Sequence, residues 1–214
     1  MKYHLRGKNN YRKDFIDSFF PDAKILEVGN ELKIFETKIP DPIWNEIQTM
    51  LCKAVEIKNH PLGMLRCHYN EGKNSFQISG NKKFIDESFL LPYILFAGQK
   101  YIGALEGIDH HQLQKKIFLC DNPGHFDHYD FWFNFSHYGD ENPMHGHSGD
   151  ISAVIYIDNT ENIPTEFETG YKYFGKPKSM ILFPAFLQHY VRKNLGEAVR
   201  ITASFNLVYF KNNR

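Results

Sequence analysis

The sequence predicts an α+β chain built around an antiparallel β-sandwich. Helical periodicity is confined to the first half of the chain. After Asp109, short apolar runs alternate with turn residues, and the last of these runs alternates polar and apolar faces with a period of two. Helices first and strands afterwards is the pattern of an α+β fold. At 214 residues, with 42% apolar residues, 19 Phe and 12 Tyr, the chain has the length and apolar content for one domain with a large core.

Taken in order, residues 31–39 read as a strand of imperfect alternation. Asp41-Pro42 supplies a helix N-cap followed by proline at the first helical position, where its missing N–H costs nothing. Ile43, Trp44, Ile47, Leu51, Ala54 and Val55 follow at helical spacing, so a helix is expected over about 42–57, stopped by His60-Pro61-Leu62-Gly63. A second helical region covers about 82–105, broken or kinked at Pro92 and passing through Gly98. Strands are expected over 116–120, 130–136, 151–157, 171–174, 179–184 and 198–210. There is no internal repeat, low-complexity tract or linker, which fits one domain with helical support over about 1–110 and a β core over about 111–210.

Charge and cysteine usage narrow the function classes. Lys plus Arg and Asp plus Glu are 25 each, which argues against a nucleic-acid-coating protein or a binder of anionic membranes. Lys2, Arg6, Lys8, Arg12 and Lys13 form a basic start, read as a solvated arm. Cys52, Cys67 and Cys120 lie far apart without a Cys-x-x-Cys, so neither a disulfide framework nor a thiolate zinc site is expected. With no apolar signal core after Met1 and no long apolar stretch, a cytoplasmic location is expected. The 11 histidines are the unusual figure, because imidazole is the commonest metal ligand.

Two of them stand as His145-Gly-His147 after one strand and before another. Residues two apart on a strand point to the same face, so both rings would project into one space. His189 follows the apolar run Met180-Ile-Leu-Phe183, at another strand-to-loop boundary. In Val199-Arg-Ile-Thr-Ala-Ser-Phe-Asn206, Arg200, Thr202, Ser204 and Asn206 share one face and Ile201, Ala203, Phe205 and Leu207 the other. A polar stripe on a core strand suits a cavity with an anionic guest: a guanidinium offers a planar fork to a carboxylate, and a hydroxyl two residues on adds a donor. Singly, each histidine is better read as a hydrogen-bonded or surface residue. The joint order is far more specific.

Two His-x-Asp pairs compete as metal ligands. His125-Phe-Asp127 and His128-Tyr-Asp130 precede the Trp132 strand and follow the turn signal Asn122-Pro-Gly124, so they read as a loop with polar tips. Were that wrong, His128 and Asp130 would be the metal pair. His110-His111 has no spaced partner and reads as a solvated loop pair.

Together these residues resemble the Fe(II)/2-oxoglutarate oxygenases, in detail a branch found in marine bacteria and their phages. The likeness spans about residues 132–210. It rests on Trp132 and Asn134, Gly139 and Asn142, His145-x-His147 with Ser152, Val154 and Tyr156, Leu182-Phe-Pro184 with Leu187 and His189, and Arg200-Ile-x-x-Ser-Phe-Asn206. The resemblance implies a double-stranded β-helix (jelly-roll, cupin-like) core with the N-terminal helices packed on one sheet. It implies that His145 and His189 bind Fe(II), that Arg200 binds the distal carboxylate of the co-substrate 2-oxoglutarate with Thr202 or Ser204 assisting, and that Asn134 and Tyr156 line that pocket. It also implies O2 as oxidant, release of succinate and CO2, and hydroxylation of a protein side chain or small molecule, in the host cytoplasm if the chain is phage-encoded.

The chain departs from the wider family at the second position of the first pair, where most members carry Asp or Glu. It also has Ser148 where the branch carries proline, and a shorter turn before Ser152. His147, Asp150 or water could complete the ligand set; His147 is favoured over Asp150 because an i, i+2 pair needs no loop distortion. Two other function classes remain open: a three-histidine cupin-type metalloenzyme that does not use 2-oxoglutarate, and a non-catalytic jelly-roll module. The inward polar stripe argues against the latter, since a structural jelly roll gains by packing apolar groups there. The substrate is not legible, and the aromatic-rich helical half could form a substrate wall or a homodimer contact.

Overall fold

The computed structural model of the chain describes residues 18–29, 31–59, 76–113, 116–122 and 128–211. The basic start, the helix stop at residues 60–63, Cys67, the Pro123-Gly124 turn and the His125–Asp127 pair lie outside the described residues.

Strands β1 (Lys24–Glu27) and β2 (Lys33–Lys38) form an antiparallel hairpin. Helix α1 spans Asp41–Asn59, and its apolar positions Ile43, Ile47 and Ala54 are buried. Strand β3 (Phe76–Asn81) leads into the short α2 (Lys82–Asp86) and then α3 (Leu90–Glu106). The break in this second helical region falls at residues 87–89 and not at Pro92, as the sequence suggested. Pro92 lies in the first turn of α3, where no intrahelical N–H bond is required of it. The Leu90 N–H at that turn donates to Glu46 Oε2 of α1 at 3.0 Å, a carboxylate placed at a positive helix end. Gly107, at φ 68°, closes α3 in the left-handed conformation.

The remaining strands are β4 (Ile117–Leu119), β5 (His128–Ser136), β6 (Asn142–His145), β7 (Ile151–Asp158), β8 (Thr165–Phe167), β9 (Lys172–Tyr173), β10 (Ser179–Pro184), β11 (His189–Val191) and β12 (Arg200–Tyr209). They form two antiparallel sheets. The larger has the order β1-β2-β10-β7-β12-β5-β3, with β4 also on β12; the smaller has the order β6-β11-β8-β9. The part before residue 110 is therefore not only helical support, because β1, β2 and β3 belong to the larger sheet.

Alternation along the central strands gives the larger sheet two different faces. Ile151, Ala153 and Ile155 of β7, with Ala203, Phe205 and Leu207 of β12, pack against Ile47, Ile94 and Ala97 of the helices. Val154 and Tyr156 face the other way and join Phe167, Phe183 and Leu187 between the sheets. The result is a jelly-roll core with helices on the outer face of the larger sheet. Gly98 lets α3 approach closely: a Cβ there would lie 2.7 Å from Leu207 Cδ1 and 3.1 Å from Ile117 Cγ2. No helix among the described residues is long and apolar enough to cross a membrane.

Candidate metal centre

The smaller sheet brings two histidines together. His145 ends β6, His189 begins β11, and the two are direct partners across the strands. His147 lies beyond the end of β6, so it does not share a strand face with His145 as the spacing suggested. Instead it leads into a bend over residues 148–150. Its N–H donates to Ala185 O at 3.0 Å, while Ala185 N–H donates to Asp150 O at 3.1 Å, tying the bend to the loop before His189. The ring centroids lie 4.4 Å apart for His145 and His189, 4.8 Å for His145 and His147, and 5.1 Å for His147 and His189. One ligand atom from each falls within 4.8 Å of the others.

The backbone sets the tautomers of the facing pair. His145 Nδ1 lies 2.7 Å from Pro143 O, and His189 Nδ1 lies 3.3 Å from Leu187 O, in both cases the carbonyl two residues back. A carbonyl can only accept, so Nδ1 carries the proton and Nε2 keeps its lone pair. Burial, then the neighbouring His145, pushes His147 down to about 4. Burial, then His145 and His147, takes His189 down to about 3, against a smaller opposite effect of the Leu187 carbonyl. At neutral pH both rings are therefore uncharged and ready to ligate. Phe183 and Phe167 flank His189 with ring centroids at 4.9 and 6.0 Å, and Trp132 lies 5.6 Å from His147. A convergent set of three imidazoles fits a borderline divalent metal such as Fe(II) or Zn(II).

The other expected residues line the larger sheet's inward face. Arg200 opens β12 and is 5% exposed. Its Nη2 donates to Thr165 Oγ1 at 3.2 Å, and its guanidinium carbon lies 5.5 Å from the Tyr156 ring centre. Tyr156 Oη and Thr165 Oγ1 are 2.6 Å apart. Arg200 Nε has no hydrogen-bond partner, and no carboxylate pairs with the group among the described residues. Burial lowers its pKa, partly offset by Tyr156. Thr202 and Ser204 lie opposite Asn134 and Trp132 of β5. Asn134 Nδ2 donates to Thr202 Oγ1 at 3.3 Å and Ser204 Oγ at 3.1 Å, and Trp132 Nε1 donates to Asn134 Oδ1 at 3.0 Å.

Asp150 is not in the histidine group; its Oδ2 accepts the Tyr209 N–H at 2.7 Å. His128 and Asp130 lie within β5 rather than in a loop before it. Asp130 accepts from Asn206 Nδ2 at 2.6 Å and does not belong to the histidine group. His110 and His111 lie in a short 3-10 turn, half-buried, where Asp109 Oδ1 accepts the His111 N–H. Thr165 escaped the sequence reading because its strand has three residues, too few for a periodic signal.

No protein-family model matches the chain, and no curated protein matches its sequence. Solved structures do resemble it. They include the non-haem α-ketoglutarate-dependent carbocyclase SnoK from nogalamycin biosynthesis, with TM-score 0.55 and 8% identity over 94% of this chain and 87% of that one. A Pseudomonas putida prolyl-4-hydroxylase gives 0.52 and 12%, over 85% and 94%. HygX from Streptomyces hygroscopicus, crystallised with nickel and 2-oxoglutarate, gives 0.51 and 9%, over 82% of each chain. At these identities the likeness is one of fold: the chain has the jelly-roll architecture of the 2OG-Fe(II) oxygenases.

Proposed function

We propose that this protein is a non-haem Fe(II)- and 2-oxoglutarate-dependent dioxygenase that hydroxylates a protein side chain or a small molecule, releasing succinate and CO2. The observation that carries the reading is Arg200. A buried guanidinium with no carboxylate partner among the described residues is costly, and an anionic guest removes that cost. It opens the same inward stripe as Ser204, whose cross-strand partner Trp132 stands beside His147.

In this reading His145, His147 and His189 hold Fe(II), with Nε2 the ligating atom of the facing pair. Arg200 receives the distal carboxylate of 2-oxoglutarate through the unused part of its fork, and Thr202 or Ser204 adds a hydroxyl. Tyr156 and Thr165 hold the guanidinium in place, and Asn134 orients both hydroxyls. Phe167 and Phe183 keep water from His189. When bound, the metal with 2-oxoglutarate and O2 supplies oxidative decarboxylation and insertion of oxygen into a C–H bond.

Among the described residues no carboxylate joins the histidine group, which favours a second reading, a three-histidine cupin-type metalloenzyme in which Arg200 holds a substrate anion. Anaerobic titration of Fe(II)-loaded protein with 2-oxoglutarate separates the two. The oxygenase gives a weak visible metal-to-ligand charge-transfer band that Arg200→Ala and His189→Ala lose. Folded, iron-loaded protein that gives no band sinks the oxygenase reading and leaves the cupin-type enzyme or a non-catalytic jelly roll.

A further inference from the structure

The inward stripe continues past the histidine cluster to a carboxylate. Asp130 lies on β5 with the parity of Trp132 and Asn134, so its side chain faces between the sheets. Asn206 Nδ2 donates to Asp130 Oδ2 at 2.6 Å, and Ser152 Oγ donates to Asn206 Oδ1 at 2.6 Å. The serine therefore sets the amide's orientation, the amide presents its NH2 to the carboxylate, and Asp130 is held in one place with no bond to Oδ1 among the described residues.

We propose that Asp130 is the recognition residue for a cationic hydrogen-bond donor, an ammonium or guanidinium group, on the primary substrate. The inference rests on the oxygenase reading, whose site it extends. Arg200 and Asn206 stand at opposite ends of the stripe, about 20 Å apart along an extended strand. A five-carbon diacid anchored at Arg200 is far shorter than that, so the Asp130 end is left for a second ligand. Trp132, two residues from Asp130 on the same face, stands beside His147. Cys120 links the far end of the stripe to the segment after His147: its N–H donates to Asn206 O at 2.9 Å, and its sulfur is 3.2 Å from where a Gly149 Cβ would lie. The histidine cluster thus approaches the sheet at Trp132, between the strand positions of Arg200 and Asp130.

The carboxylate is suited to the task. Asp121 is ion-paired with Lys82 at 2.7 Å, and Asp150 accepts the Tyr209 N–H. Among the described residues Asp130 has no cationic partner. Burial raises its pKa, offset in part by the Asn206 hydrogen bond. A substrate cation would bond to Oδ1 and favour the charged form, a charge-assisted bond stronger than a neutral one.

The test is calorimetric titration of protein loaded with Zn(II) and 2-oxoglutarate, using three matched pairs: guanidinium and urea, arginine amide and citrulline amide, butylammonium and butanol. At least one cation should bind tenfold or more tightly than its neutral counterpart. Asp130→Asn, nearly isosteric, should bring the pair within twofold while leaving 2-oxoglutarate affinity within twofold of wild type. Equal binding of every pair by wild type overturns the proposal, as does a cation preference that survives in Asp130→Asn. Titrating the Zn(II)-loaded protein with 2-oxoglutarate alone keeps the failures apart. Loss of 2-oxoglutarate binding by wild type removes the oxygenase reading, whereas loss of cation preference alone removes only the role of Asp130.

Discussion

His145 and His189 face each other across β6 and β11, with ring centroids 4.4 Å apart and each Nδ1 turned to the carbonyl two residues back. The same local device at two strand ends makes both Nε2 atoms bare acceptors aimed at one point. That arrangement suits a shared metal, since two facing lone pairs cannot hydrogen-bond to each other.

Replacing His189 with Ala should therefore lower metal affinity by 100-fold or more, with His145→Ala similar. The variants should stay folded, because the flanking Phe167 and Phe183 remain. Metal content after dialysis, read beside far-UV circular dichroism, checks this.

Asp150 separates the two candidates for the third ligand. Asp150→Asn should leave metal affinity within twofold, and Asp150→Ala should cost about 1 kcal/mol of stability through the lost bond from the Tyr209 N–H. His147→Ala should weaken metal binding at least tenfold. Metal titration of the three variants reads both effects; a large loss in Asp150→Asn would transfer the ligand role to the carboxylate.

Arg200→Met removes a buried cation that has no carboxylate partner among the described residues. Without 2-oxoglutarate the variant should be as thermally stable as wild type or more so, because an apolar group of similar volume replaces an uncompensated charge. It should bind metal normally and lose the stabilisation that 2-oxoglutarate confers on wild type. Thermal unfolding with and without the co-substrate distinguishes these outcomes.

Acid should destabilise the metal-free protein through the same histidines. Their folded pKa values, about 4 for His147 and about 3 for His189, lie below the ordinary 6.5. The unfolded chain then binds more protons between those limits, so stability is fully present above 6.5 and is lost as pH falls toward 3, by on the order of a few kcal/mol. Urea unfolding of chelator-treated protein from pH 7 to 4 should show the decline, and His189→Ala should flatten it.

Gly98→Ala should destabilise the helix-bearing face by about 1–3 kcal/mol, because the added methyl meets Leu207 and Ile117. The midpoint of denaturant unfolding measures it, with the metal site unaffected.

Much of this was legible in the residues alone. The helix from Asp41, the strand at 179–184 and the two faces of β12 follow from periodicity, because a core-facing element must repeat its apolar residues with the period of its backbone. The histidines could be named from their positions near strand ends. Strands β6, β8 and β11 were not legible, since three or four residues carry no periodic signal, and Thr165 went unnoticed with them. The break before α3 was misplaced at Pro92 because proline is harmless in a first turn.

By itself the sequence determined the order of helices and strands, the inward polar stripe and the candidate donors His145, His147, His189 and Arg200, all of which depend on local spacing. Only the tertiary structure decided that His147 reaches the pair from beyond the end of β6, that Asp150 is engaged by the Tyr209 N–H, and that Asp130, Asn206 and Ser152 form one network. Those relationships join residues 54 and 76 positions apart, as in the Ser152–Asn206 and Asp130–Asn206 bonds. Their geometry is set by strand register and sheet packing, which no local pattern encodes.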